Sequence, residues 1–301
     1  MPLIFHHPTA STMYFPIDTP VNVELYYDHP HQPPPRNNSR RIYIQCESTA
    51  IINCHEYLRR YASLYDVILV FDPETLGLPN AYKKIEGGSW IPPEIYTKID
   101  VAKKTFSISN VTGSKAFAPG HHLRHIVYNA QLQFNRFPIT FFRSGAGYPL
   151  PVIGNNPMLE SSGCTAASGP SKMPLFETFQ FSIVIENNRE KNYFTEKIID
   201  CVVTKTIPIY WGCPNIGEYF DTTGWILLGD DIVKSLEDSL SQLDDGYYTR
   251  YMDVVNANYE RAVKIADYKR TYTDAILPYV QPHNIFNKRF TLGGFRQGQI
   301  Q

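Results

Sequence analysis

The sequence predicts an α/β protein of two facing units, each a parallel sheet covered by helices, with ligands held where the units meet. Three observations predict it. Short runs of β-branched and aromatic residues alternate with amphipathic stretches along most of the chain. Residues 87–93 (GGSWIPP) interrupt that alternation and read as the approach to a domain boundary. Residues 179–228, FQFSIVIENNREKNYFTEKIIDCVVTKTIPIYWGCPNIGEYFDTTGWILL, read as strand, polar loop, helix and strand, a unit that requires a parallel sheet.

In the first unit, residues 1–100, segments 21–27 and 41–45 read as strands. Between them, the Pro-rich polar stretch 30–40 reads as a loop with polyproline character. Residues 51–61 follow as a helix, and 67–71 as a short apolar strand closed by Asp72-Pro73. The second unit, 101–275, opens with a strand over 105–109, a Gly/Ser/Pro loop over 110–120, a helix over 121–134 and a strand over 139–142. Residues 144–174 lack periodicity and are rich in Gly, Pro and Ser, so they read as a long surface excursion. After the strand 179–185, residues 187–192 contain no hydrophobic side chain and must face solvent or ligand. Thr195 is placed to cap a helix whose stripe is Ile198, Ile199, Val202 and Val203. The strand 207–211 is broken by 212–215, helices are expected over 230–243 and 249–266, and 276–301 reads as a weakly patterned tail. No internal repeat is found.

Composition narrows the function classes. The chain has 301 residues, 43% hydrophobic and 19% charged, which is enough for two globular domains. A net charge of −1 gives no electrostatic reason to expect nucleic acid or an anionic membrane, so any phosphate site must be locally basic. The 21 Tyr and 17 Phe suit carbohydrate surfaces and equally a Tyr-rich core. The five cysteines, 46, 54, 164, 201 and 213, are odd in number and form no CxxC pair, which argues against a disulfide framework or a zinc site. No N-terminal apolar segment qualifies as a signal peptide or membrane span, so a cytoplasmic protein is expected. The sequons at Asn37-Asn38-Ser39 and Asn110-Val111-Thr112 carry little weight without a secretion signal.

The order ENN, four residues, YFTEK, then TIPIYWG and PNI resembles the donor-binding core of the α-1,3/1,4-fucosyltransferases over about fifty residues. That resemblance implies the GT-B arrangement of two Rossmann-like domains, and it makes the first unit the acceptor side and the second the nucleotide-sugar donor side. It implies inverting, metal-independent transfer of a sugar, L-fucose from GDP-fucose first among them, to a hydroxyl of an oligosaccharide or glycoprotein. No cofactor is expected beyond the donor substrate itself. Animal members carry a Golgi membrane anchor and this sequence shows none, so a bacterial or viral enzyme working in a cytosol is the simpler reading.

Sugar transfer from a nucleotide needs cations for the departing diphosphate and a base for the acceptor proton. Lys197, in the first turn of its helix, is the leading diphosphate ligand. Arg124, early in the helix after a strand, is the second, with Arg136 and Arg143 as rivals for the family's arginine. By resemblance, Asn187 and Tyr193 hydrogen-bond the donor's sugar or phosphate oxygens, and Glu196 binds ribose or sugar hydroxyls. Glu186 is a helper or a strand-end charge. Glu47, immediately after a strand in QCES, is the candidate base by the same resemblance, with His55, Asp72 and Glu74 as rivals. His121-His122 does not make a metal site, because adjacent helical side chains diverge. Two other readings stay open: the same fold with another donor such as UDP-xylose, and a noncatalytic glycan- or nucleotide-binding protein. A kinase or nucleotide hydrolase would need a GxxxxGK[ST] loop that the sequence lacks. The acceptor is not legible, although loops such as 30–40 should meet it.

Overall fold

The computed structural model describes residues 3–6, 22–28, 33–34, 38–144, 150–151, 153–154, 156–159 and 172–280. Strands β1 (Leu3–His6), β2 (Val23–Tyr27), β3 (Arg40–Ile44), β4 (Val67–Val70) and β5 (Ala81–Lys83) lie side by side in that order, all parallel. β2 and β4 are buried along their whole length because both faces of the sheet are covered, which is why they read as unbroken apolar runs. Helix α1 (His55–Tyr61) covers one face through Tyr57 and Leu58.

After the short helix α2 (Pro93–Tyr96), a second sheet forms from β6 (Thr105–Gly113), β7 (Ile139–Ser144), β8 (Met158–Leu159), β9 (Phe179–Ile185), β10 (Ile207–Trp211) and β11 (Ile226–Leu227). Its order is β11-β10-β9-β6-β7-β8, again parallel. The chain therefore builds outward from β6 in one direction and from β9 in the other, and the strand order reverses between these two neighbours. On one face, α4 (Glu196–Val203) and α7 (Met252–Ala266) bury Ile198, Ile199, Val202, Ala262 and Ala266. On the other, α3 (Pro119–Asn129) and α5 (Ile232–Leu240) bury Val127, Tyr128, Leu236 and Leu240.

Several elements depart from expectation. The helix read over 51–61 begins only at His55. The helix read over 121–134 starts earlier, at Pro119, whose fixed φ suits a first turn, and ends in a separate 3-10 turn over Gln131–Phe134. The helix read over 249–266 is divided into α6 (Tyr247–Arg250) and α7. β6 runs to Gly113, so the sequon at Asn110 lies in a buried strand rather than a loop. The excursion 144–174 contributes the edge strand β8 and Lys172–Leu175, while most of it, with Cys164, lies outside the described residues, as does most of the stretch 30–40.

Helix α8 (Tyr268–Val280) leaves the second unit and packs Tyr272, Ile276 and Val280 against Val23, Leu25, Ile42 and Val67 of the first sheet. The unit boundary read at 275 falls inside this helix. Among the described residues, no helix is long and apolar enough to cross a membrane.

Candidate functional site

In an open parallel sheet, ligands gather at the carboxyl ends of strands where the order reverses, because the loops there diverge and leave a crevice. In the second sheet that point lies between β6 and β9. The segments leaving it are residues 114–118, which lead into α3, and 186–195, which lead into α4. The loops leaving β3 and β4 of the first sheet meet the second of these. Asn192, in the left-handed region at φ 64°, donates its Nδ2 to the Phe71 carbonyl at 2.9 Å. Its Oδ1 accepts from Asn215 at 2.9 Å and from the Tyr219 hydroxyl at 2.8 Å. Glu190 accepts from the Thr49 amide and hydroxyl at 3.0 and 3.1 Å.

The ENN–YFTEK segment is held from below by Glu186. Its buried carboxylate accepts from the Thr195 amide at 2.9 Å and hydroxyl at 2.8 Å. Thr195 in turn caps α4, accepting from the Lys197 amide at 3.4 Å. Glu186 is therefore more than a strand-end charge: it fixes the start of the helix. The Lys197 ammonium lies 3.0 Å from the Thr195 hydroxyl, 3.2 Å from Glu196 Oε1 and 3.7 Å from Glu186 Oε2. Burial acts to raise the Glu196 carboxyl, but Lys197 and Lys172 outweigh it and bring it down to about 2.

Arg124 donates through Nη1 to the Ile185 carbonyl and through Nη2 to Asn187 Oδ1 at 2.9 Å. It reaches these partners because α3 abuts the loop at Gly120, whose amide donates to the Asn187 carbonyl at 2.9 Å. A Cβ at Gly120 would stand 1.6 Å from the Glu186 carbonyl oxygen, so only glycine allows the approach. The rival arginines are engaged elsewhere. Arg136 is exposed and paired with Glu237 at 2.9 Å, and Arg143, on β7, donates to the Asn156 carbonyl at 3.3 Å. His121 is buried and accepts the Ala118 amide on Nδ1, whereas His122 is exposed. Burial, then Arg124, pushes the His121 ring down to about 4.

Tyr193 is fully buried, with its ring centroid 5.4 Å from that of Phe71, so its ring fills the seam between the units.

From the first unit, Glu47 stands just past the carboxyl end of β3, half-buried. Among the described residues its carboxylate has no hydrogen-bond or ion-pair partner, whereas the rival bases occupy one another. His55 Nε2 lies 2.6 Å from Asp72 Oδ2, and its Nδ1 lies 3.2 Å from Glu74 Oε2. Burial first, then the neighbouring Asp28, push the Glu47 carboxyl up, while Lys197 from the other unit pulls it down, leaving it at about 7. The field of Lys197 thus reaches Glu47 although 150 positions separate them in sequence.

Nothing in the sequence marks Lys172. Its ammonium sits over the Trp90 ring at 4.0 Å, 3.5 Å from Glu196 Oε1 and 3.2 Å from the fully buried Asp200. Asp200 also accepts from the Ser89 hydroxyl at 2.7 Å and the Trp90 amide at 2.8 Å, tying the inter-unit linker to α4. A small cavity of about 60 Å³ opens at the same sheet edge between Arg189, Gly212, Pro214 and Leu227. A larger one of about 250 Å³, lined by Ile95, Lys98, Lys103 and Met173, lies toward the amino end of β6, away from these charges.

The comparisons with known proteins agree with this layout. Residues 155–274 match the model for the C-terminal domain of glycosyltransferase family 10 (fucosyltransferase). Over 110 residues the chain is 26% identical to the alpha-(1,3)-fucosyltransferase FucT of Helicobacter pylori, a match covering 36% of this chain and 22% of that protein's length. Among solved structures, TarM has a TM-score of 0.52 at 11% identity, covering 86% of this chain and 55% of that one. Trehalose-6-phosphate synthase OtsA also has 0.52 at 10% identity, covering 85% and 72%. An α1,3-fucosyltransferase solved with GDP covers 85% of this chain and 77% of its own at 15% identity, with a TM-score of 0.46. At these identities, the likenesses to TarM and OtsA speak to the fold. The resemblance carried by ENN, YFTEK and TIPIYWG is borne out: residues 155–274 are similar to the glycosyltransferase family 10 (fucosyltransferase) C-terminal domain, within a chain of GT-B architecture.

Proposed function

We propose that this chain is an inverting glycosyltransferase that moves L-fucose from GDP-fucose to a hydroxyl of an oligosaccharide or glycoprotein. The observation that carries the proposal is that Glu47 stands just past β3 of one unit, within the electrostatic reach of Lys197 at the head of α4 in the other. Glu47 takes the proton of the acceptor hydroxyl as its oxygen attacks the anomeric carbon. The bond from that carbon to the diphosphate breaks, and its electron pair leaves with the nucleotide. Attack from the face opposite the leaving group inverts the centre. Arg124 and Lys197 receive the charge gathering on the diphosphate, a task that asks for no metal when two cations are already placed. Asn187 and Glu196 are left to bind donor hydroxyls. A carboxyl near 7 suits this work, since a base is most effective when its affinity for protons matches the working pH.

Incubating the protein with a panel of sugar nucleotides and acceptor glycans tests the reading. Free GDP should appear from GDP-fucose only when a fucosylated glycan also forms. Release from UDP-xylose instead would move the donor assignment, and nucleotide binding without transfer from any donor would make the chain a binding protein. Glu47→Gln should cut turnover by about 10²–10⁴-fold with nucleotide affinity retained. A cytosolic setting belongs to the same proposal, and fractionation of the producing cell tests it.

A further inference from the structure

Behind Glu47 lies a buried carboxylate that the proposed reaction does not use. Asp28 follows β2 with φ 53°, a left-handed backbone that Asp tolerates better than most residues. Its amide donates to the Ile44 carbonyl at 2.9 Å, and its own carbonyl accepts the Tyr43 hydroxyl. Both contacts lock Asp28 against the end of β3. Its side chain then turns toward the segment carrying the candidate base: one oxygen, Oδ1, accepts the Cys46 amide at 2.7 Å and the Glu47 amide at 2.9 Å. These are the second and third amides past the end of β3, after Gln45, whose amide still donates to the Leu69 carbonyl at 2.9 Å; here the chain leaves the ladder and carries Glu47 toward the second unit.

The surroundings explain why a carboxylate occupies this spot. Asp28 is only 4% exposed, so its charge is poorly screened and acts strongly on its neighbours. A further layer supports it. Glu86 is paired with Lys84 at 2.7 Å and accepts the Tyr272 hydroxyl at 2.7 Å, and that hydroxyl lies 3.0 Å from the Cys46 thiol. The backbone on one side of Glu47 is thus tied to the linker and to α8. The charged groups bearing on the Glu47 carboxyl are Asp28 from the end of β2, Glu86 from the linker, and Lys197 and Glu196 from α4. Asp28 is the only one of these that also holds the Glu47 backbone.

We propose that Asp28 is a positioning residue for Glu47: its Oδ1 pins the two amides that set the direction of the base. The Asp28 charge acts on the same carboxyl, raising its hold on a proton. The inference rests on Glu47 as the base, and the test separates the two. Asp28→Asn keeps an acceptor oxygen for both amides and removes the charge. Asp28→Ala removes both. The Glu47 carboxyl is followed by ¹³C NMR pH titration of labelled protein, its signal assigned by its loss in Glu47→Gln, so this readout needs no substrate. In Asp28→Asn the Glu47 midpoint should fall by on the order of 0.5–1 pH unit, and the acid limb of kcat/KM should move with it. Asp28→Ala should lose about tenfold or more in kcat with nucleotide Kd unchanged, its fold checked by circular dichroism. A midpoint that does not move in Asp28→Asn overturns the electrostatic role, whatever becomes of the alanine variant. A folded Asp28→Ala with wild-type kcat overturns the positioning role. An active Glu47→Gln would instead strike the base assignment, and the titration would still report whether Asp28 acts on that carboxyl.

Discussion

The proposed role asks Glu47 to be ionised in a place that disfavours its charge, and that conflict can be measured. Its folded value of about 7 stands above the ordinary 4.5, so the folded state binds its proton more tightly than the unfolded chain. The resulting stability is complete below the unfolded value and is lost as pH rises through 7. At pH 8 wild type therefore holds an ionised, half-buried carboxylate that Glu47→Gln lacks. The variant should be more stable than wild type by about 1–2 kcal/mol at pH 8, after discounting for partial exposure, and level with it near pH 4. Thermal melts across that range check this, and a constant difference would contradict it. Lys172 faces the reverse situation, since it compensates the fully buried Asp200 as well as Glu196. Lys172→Met keeps the packing on Trp90 but leaves Asp200 without its cation. A loss of about 3–5 kcal/mol is expected in urea melts, along with weaker nucleotide binding because Glu196 is released on one side.

At the scale of elements, the site depends on how closely α3 and α4 approach the loop after β9. The strand fixes Glu186, Glu186 fixes Thr195, and Thr195 starts the helix that carries Glu196 and Lys197. From the other side, Gly120 lets α3 come near enough for Arg124 to reach Asn187. Gly120→Ala should force the two apart, because the new methyl meets backbone rather than a side chain that could swing away. The expected result is at least a tenfold rise in nucleotide Kd by calorimetry together with a lowered Tm, as for an overpacked core costing about 1–3 kcal/mol. Unchanged binding would show that the close approach is dispensable. Most of this element was legible in advance. The six polar residues 187–192 between two apolar runs marked a loop at a strand's end, and Thr195 marked a helix start. The burial of Tyr193 was not legible, because an aromatic residue inside a polar segment looks the same whether it meets a ligand or the opposite domain.

At the scale of the whole molecule, α8 crosses from the second unit to complete the core of the first. Ending the chain after Asp267 should expose the face of β2–β4 that Tyr272, Ile276 and Val280 cover and release the Tyr272 hydroxyl from Glu86. Limited proteolysis should then cut the first unit rapidly while the 105–266 region resists, and equal resistance of both units would contradict the role given to the helix. The sequence by itself determined the alternating strands and helices, the two units, and the local spacing of Asn187, Glu196 and Lys197, because periodicity and loop spacing are set within a few turns of chain. Tertiary structure decided which arginine reaches the loop, which carboxylate stands free, what Lys172 and Asp28 do, and where α8 belongs. Those contacts join positions from 18 residues apart, as Asp28 and Cys46, to 226, as Cys46 and Tyr272, and only the order of the strands and the docking of the two sheets bring them within a few ångströms.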